Sequence, residues 1–221
     1  MIAVSNQSQV PQIQNQQFAS AAAFNAPQAT GSASFDPCHA QQVSAGGLQG
    51  AQQLGQQFNG LVSNAPNVAV IDDFSTSNHG REISGIIQNG GSNTQGFDVT
   101  QNGGGASGVA SALDNVIGQA KSGKHFDAVN LSQQNFQASQ GTQAVQQRIQ
   151  VLEQMGIPVV VAAGNGGPGQ TNQYAIGASY VAASGSPDSG RGNVLGAGQT
   201  TSQAAANVTA QVARMHAQGR R

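Results

Sequence analysis

The run Val159–Ala163, VVVAA, contains no polar residue. A half-exposed strand alternates apolar and polar side chains, so a continuous run of this length reads as a central strand covered on both faces. A strand covered on both faces needs helices above and below it, and the rest of the chain supplies them. Val68–Ile71 is a second short apolar strand, followed by a helix over 80–88 with Ile83, Ile86 and Ile87 at helical spacing. A short strand is expected at Phe97–Val99, then a glycine loop, Gly103–Gly105. Next comes a helix with Ser107 as N-cap and Val109, Leu113, Val116, Ile117 and Ala120 as its apolar stripe, stopping at Gly123. Strand Ala128–Leu131 precedes a helix from about Thr142 to Met155, which ends at Gly156 with Pro158 beyond. A strand over Ala175–Val181 and a last helix opening near Ser202, with Ala205, Val208, Val212 and Met215 on one side, complete the series. Alternating strands and helices of these lengths predict an α/β fold: three layers, a mostly parallel sheet with helices on both faces.

The domain is expected over 66–217. Before it, residues 1–65 are rich in Gln, Ala, Ser, Asn and Gly, with Asp36 as the only charged side chain. Their scattered apolar residues do not offset the entropy of ordering, so this stretch reads as low-complexity: an export signal, a pro-segment or a tether. Residues 218–221 read as a tail.

Charged residues are 8% of the chain and the net charge is −1, which excludes the basic field that nucleic-acid binding requires. No run approaches the roughly 18 apolar residues of a membrane span. The start, MIAVSNQSQVPQ, lacks a basic region followed by an apolar one, so no general secretory signal is expected; the location reads as cytoplasmic or reached by a non-classical, secretion-system route. The lone Cys38 forms no intramolecular disulfide, and its neighbour His39 makes a poor catalytic pair with it. No cluster has metal-ligand spacing, so neither a metal nor a cofactor is expected. Gly164–Gly169, GNGGPG, fits a dinucleotide fingerprint, but Pro168 lies inside it and no helical period follows. His125, in KHFD, reads as a surface residue before a strand.

In such a sheet, function gathers at the carboxyl ends of strands and the amino ends of helices. Asp72 ends the first strand, with Asp73 beside it as a second candidate. His79 opens the next helix, Asn165 follows VVVAAG, and Ser202 opens the last helix. An acid, a base, an amide donor and a hydroxyl are the inventory for acyl transfer.

The segments VAVID, HGREISGII, DAVNLS, GIPVVVAAGN and TTSQAAANVTAQVA, in this order, resemble the motifs of the subtilisin-like serine proteases, the subtilases, over roughly Pro66 to Met215. The resemblance implies a serine endopeptidase acting on a peptide or protein substrate. Its implied triad is Asp72, His79 and Ser202, with Asn165 in the oxyanion hole and Ser132 and Gly164 lining the substrate cleft. The chain departs from that pattern in places. Asp72 and His79 are seven positions apart, where subtilases insert a strand pair, although seven residues span roughly 23 Å when extended. Thr200 stands where the family usually has Gly, Ala206 where it has Pro and Asn207 where it has His. A second expectation is therefore an inactive member of the fold that binds peptides, and a third is a translocated effector.

Overall fold

The computed structural model describes residues 65–219. The expectation for the low-complexity stretch lies outside these residues, apart from Ala65. Six strands, β1 Asn67–Asp72, β2 Asn93–Asp98, β3 Ala128–Leu131, β4 Val159–Ala162, β5 Tyr180–Ala183 and β6 Val194–Leu195, form one sheet in the order β2-β1-β3-β4-β5-β6. Every neighbouring pair is parallel. Among the described residues four α-helices accompany them: α1 His79–Asn89, α2 Gly105–Lys121, α3 Gln140–Gln154 and α4 Thr201–Gln218.

The period-two alternation of strand side chains divides the core in two. Ala69, Ile71, Val129, Leu131, Val159 and Val161 point to the face covered by α2 and α3, which contribute Val109, Leu113, Val116, Val145, Ile149 and Leu152. Val68, Val70, Ala128, Val160, Ala162 and Ala182 point the other way, against Ile83 and Ile87 of α1 and Ala204, Ala205, Val208 and Val212 of α4. This is the expected three-layer α/β arrangement. The alanines of α4 let that helix lie close over β1, β3, β4 and β5 at the centre of the sheet.

Several boundaries differ from the sequence expectation, each for a physical reason. β2 starts four residues before Phe97, because Asn93–Gly96 pair along β1 through backbone hydrogen bonds that no side-chain pattern announces. The strand expected from Ala175 starts later: Ala175 ends a 3₁₀ turn, Gln173–Ala175, and β5 begins only at Tyr180; β6 has two residues. α2 starts at Gly105 rather than after Ser107. α3 is capped by Ser139, whose side chain accepts from Thr142 N while Thr142 Oγ1 accepts from Ser139 N. Met215 is 58% exposed rather than buried, because the last turn of α4 runs past the amino ends of β4 and β5. α4 itself continues to Gln218, the first residue of the expected tail. No helix among the described residues is long and apolar enough to cross a membrane.

From β1 the chain moves outward to β2, then returns to place β3 on the other side of β1. A crevice opens at such a reversal, beyond the carboxyl ends of the two strands that flank it. Asp72 ends one of those strands and Ser132 follows the other.

Candidate active site

The connection from Asp72 to His79 is closed by the side chain of Asp73. Its Oδ1 accepts from the N–H groups of Ser75 (3.1 Å), Thr76 (2.8 Å) and Ser77 (3.2 Å), and its Oδ2 accepts from the Thr76 hydroxyl. The hydrogen bonds from the side chain and backbone of Thr76 pull the Asp73 carboxyl down to about 2. Its carbonyl oxygen accepts from Gly80 N at 3.0 Å. A Cβ on Gly80 would stand 2.7 Å from that oxygen and 2.9 Å from the Phe74 ring, so only glycine lets α1 begin this close to the turn. One aspartate thus closes the step from Asp72 to His79.

The turn delivers His79 to Asp72: Nδ1 lies 2.7 Å from Asp72 Oδ1. Asp72 is fully buried, whereas the His79 side chain is 37% exposed. The hydrogen bond to Asp72 raises the His79 pKa above its ordinary value, against a lowering from burial; the charges of Asp72, Glu82 and Asp73 add to the rise. Asp72 Oδ1 also accepts from Asp73 N and from Gln133 Nε2, each at 2.7 Å, while its Oδ2 is buried without a partner. A carboxylate can only accept, so His79 carries its proton on Nδ1 and leaves Nε2 as the acceptor.

Ser202 sits in the first turn of α4, and Thr200 provides the N-cap, its hydroxyl accepting from Gln203 N. Thr200 therefore has a structural role as the cap of α4. Asn165 Oδ1 accepts from both Thr201 N and Thr201 Oγ1 at 3.0 Å, and Thr201 Oγ1 in turn accepts from Gly164 N. With Oδ1 committed, the Asn165 amide has Nδ2 left to donate. Ser202 N–H belongs to the first turn of α4, whose amide groups have no partner within the helix. The Ser202 hydroxyl donates to the Ser132 carbonyl at 3.3 Å, and no hydrogen bond joins it to His79.

His79, Ser202, Asn165 and Ser132 line one cleft of about 300 Å³, together with Asp73, Gln133, Gln134 and Thr201. Ser132 is fixed from below: its hydroxyl donates to Asn130 Oδ1, and Asn130 Nδ2 donates to Thr209 Oγ1 on α4. Gly164 lies behind the lining, at φ +92°, with its N–H held by Thr201 and its carbonyl accepting from Gly190 N. Gly164–Gly169 leads into the 3₁₀ turn rather than a helix, so the fingerprint spacing there lacks a helix amino end for a pyrophosphate. Among the described residues no group of three or more His, Cys, Asp or Glu is gathered to hold a metal. His125 is exposed as expected, within 3.4 Å of Asp127.

Sequence reasoning missed the two glutamines. Gln133 donates to Asp72, and Gln134 Oε1 accepts from Asn165 N at 2.8 Å. Their place just after β3 is the signal that could have found them. In a chain this rich in glutamine, a Gln-Gln pair stands out from nothing.

No family model and no curated protein sequence matches the chain. Its fold is shared with solved structures of low identity. A structure described as a lanthipeptide protease aligns at 14% identity and a TM-score of 0.54, over 74% of this chain and 77% of that one. One described as an S41 psychrophilic protease aligns at 18% and 0.55, over 71% and 79%. The prenylagaramide maturation protease PagA aligns at 15% and 0.51, over 75% and 81%. At these identities the likeness is one of fold: the six-stranded α/β scaffold carrying this cleft is similar to that of three proteases.

Proposed function

We propose that the protein is a serine endopeptidase of the subtilisin-like type. The observation that carries this reading is the 2.7 Å bond from His79 Nδ1 to Asp72 Oδ1, formed across an unusually short connection, in a cleft that also holds Ser202. A peptide enters the cleft and Ser202 Oγ attacks its carbonyl carbon, while His79 Nε2 takes the hydroxyl proton. Asp72 holds the tautomer and stabilises the imidazolium. Asn165 Nδ2 and Ser202 N–H are the donors for the developing oxyanion, at the positive end of α4. Collapse of the tetrahedral species breaks the C–N bond, and His79 returns its proton to the leaving amine. Water then repeats the sequence on the acyl-enzyme. The Ser202 hydroxyl must leave its long bond to Ser132 for that transfer, and catalytic contacts often tighten only with substrate present. That the three fold neighbours are proteases supports peptide hydrolysis.

The same Ser202–Ser132 bond favours a second reading, a peptide-binding module of this fold with an idle hydroxyl. Covalent labelling by a fluorophosphonate separates the two. The endopeptidase reading expects wild type to label, with Ser202→Ala abolishing the signal. A folded wild type that stays unlabelled refutes it, and a Ser202→Ala variant that still labels assigns the nucleophile elsewhere.

A further inference from the structure

We infer that Gln133 is a positioning residue of the triad, holding the Asp72 carboxylate in the orientation that serves His79. The inference rests on the endopeptidase reading. Gln133 Nε2 donates to Asp72 Oδ1 at 2.7 Å, on the same oxygen that accepts from His79, and a carboxylate partner leaves no doubt which end of the amide faces it.

The arrangement has a cost that needs a reason. Three donors crowd one oxygen of Asp72 while the other oxygen is buried with no partner. A buried acceptor without a donor is destabilising, and rotation about χ2 would share the donors between the two oxygens. Asp73 N comes from the adjacent residue and leaves that rotation open. Gln133 is the donor that opposes it from across the switch point, from the segment after β3 to the end of β1. Its own backbone is anchored: its carbonyl accepts from Asn172 Nδ2 at 3.0 Å, and the same amide donates to Ala162 O at 2.8 Å at the end of β4. Asn172 is 1% exposed, so the backbone from which Gln133 reaches Asp72 is held in place.

Gln133 also sets how strongly Asp72 acts on His79. A donor on Oδ1 draws part of the carboxylate charge to itself. Without it, the full charge falls on the imidazolium and His79 keeps its proton to higher pH. Gln133 thereby fixes geometry and restrains the basicity of His79 together.

The test replaces Gln133 with Met, which keeps length and removes the donor, and with Ala as a second variant. Two readouts are followed against pH: the rate of fluorophosphonate labelling, and the titration of the His79 ring by NMR. Both variants are expected to label about tenfold more slowly than wild type at the plateau. The His79 midpoint is expected to move by about half a pH unit, up where Asp72 keeps its place and regains the charge shared with Gln133, down where the carboxylate turns away from His79. Slower labelling with an unchanged His79 midpoint overturns the inference, because a merely structural defect would do that. An unlabelled wild type whose His79 midpoint moves in Gln133→Met defeats the enzyme reading while the coupling stands. A labelled wild type with an unmoved midpoint in both variants defeats only the role of Gln133.

Discussion

Replacing Asp72 with Asn should separate chemistry from stability. The amide oxygen is expected to take the place of Oδ1, because Asp73 N, Gln133 Nε2 and His79 Nδ1 all donate there. The tautomer of His79 is then preserved and only the charge is lost. Neutral hydrogen bonds are about half as strong as charge-assisted ones, so three weakened bonds cost roughly 3 kcal/mol. Against this, the variant no longer buries a carboxylate, a penalty of several kcal/mol per ion, although its Nδ2 inherits the unpartnered place of Oδ2. The terms offset to within about 2 kcal/mol, and a urea midpoint close to wild type is expected. Labelling by fluorophosphonate should nevertheless fall by about 10³, approaching the ~10⁴ known where the tautomer is also inverted. Labelling within tenfold of wild type would refute the electrostatic role of Asp72. A stability loss above about 4 kcal/mol would show that the carboxylate is there to hold the fold.

Two further outcomes are expected. Because His79 must be neutral to accept a proton and its pKa is raised, wild-type labelling should rise with pH through a midpoint above 6.5; the stability it draws from Asp72 is full below 6.5 and is lost as pH climbs through the raised value, so the urea midpoint of wild type relative to His79→Gln should decline over that window. A flat difference would contradict the shift. Gly164→Ala puts a side chain at φ +92° with its Cβ 2.9 Å from the Phe136 ring, and a loss of about 1–3 kcal/mol in urea unfolding is expected; an unchanged midpoint would mean that the turn relaxes freely.

The layers of the fold were legible because burial writes itself into composition. β4 is apolar throughout since both of its faces are covered, and the stripes of α2 and α3 are those facing the sheet. Elements held by backbone pairing alone left no such mark: Asn93–Gly96 is polar, yet it lies in register with Asn67–Val70. The placements of Asp72, His79, Asn165 and Ser202 followed from their positions at the ends of strands and starts of helices. How the short hop from Asp72 to His79 could close was not legible, because it depends on one side chain, Asp73, collecting three backbone N–H groups that any polar loop would offer. The Gln133 and Gln134 contacts were hidden for a different reason: their chemistry shows only when β1, β3 and the end of β4 are side by side.

The position of α4 has a consequence for the order in which the molecule is built. This helix lies against β1, β3, β4 and β5, and its docking on β1 joins residues more than a hundred positions apart in sequence, the slowest kind of contact for a growing chain to make. It also brings Ser202 and, through Thr201, fastens Asn165. A ribosome-bound chain therefore carries Asp72 and His79 long before it holds Ser202. Ser202 joins His79 at the cleft only when the sheet that α4 lies across is complete, so the proposed hydrolytic activity would follow the docking of α4.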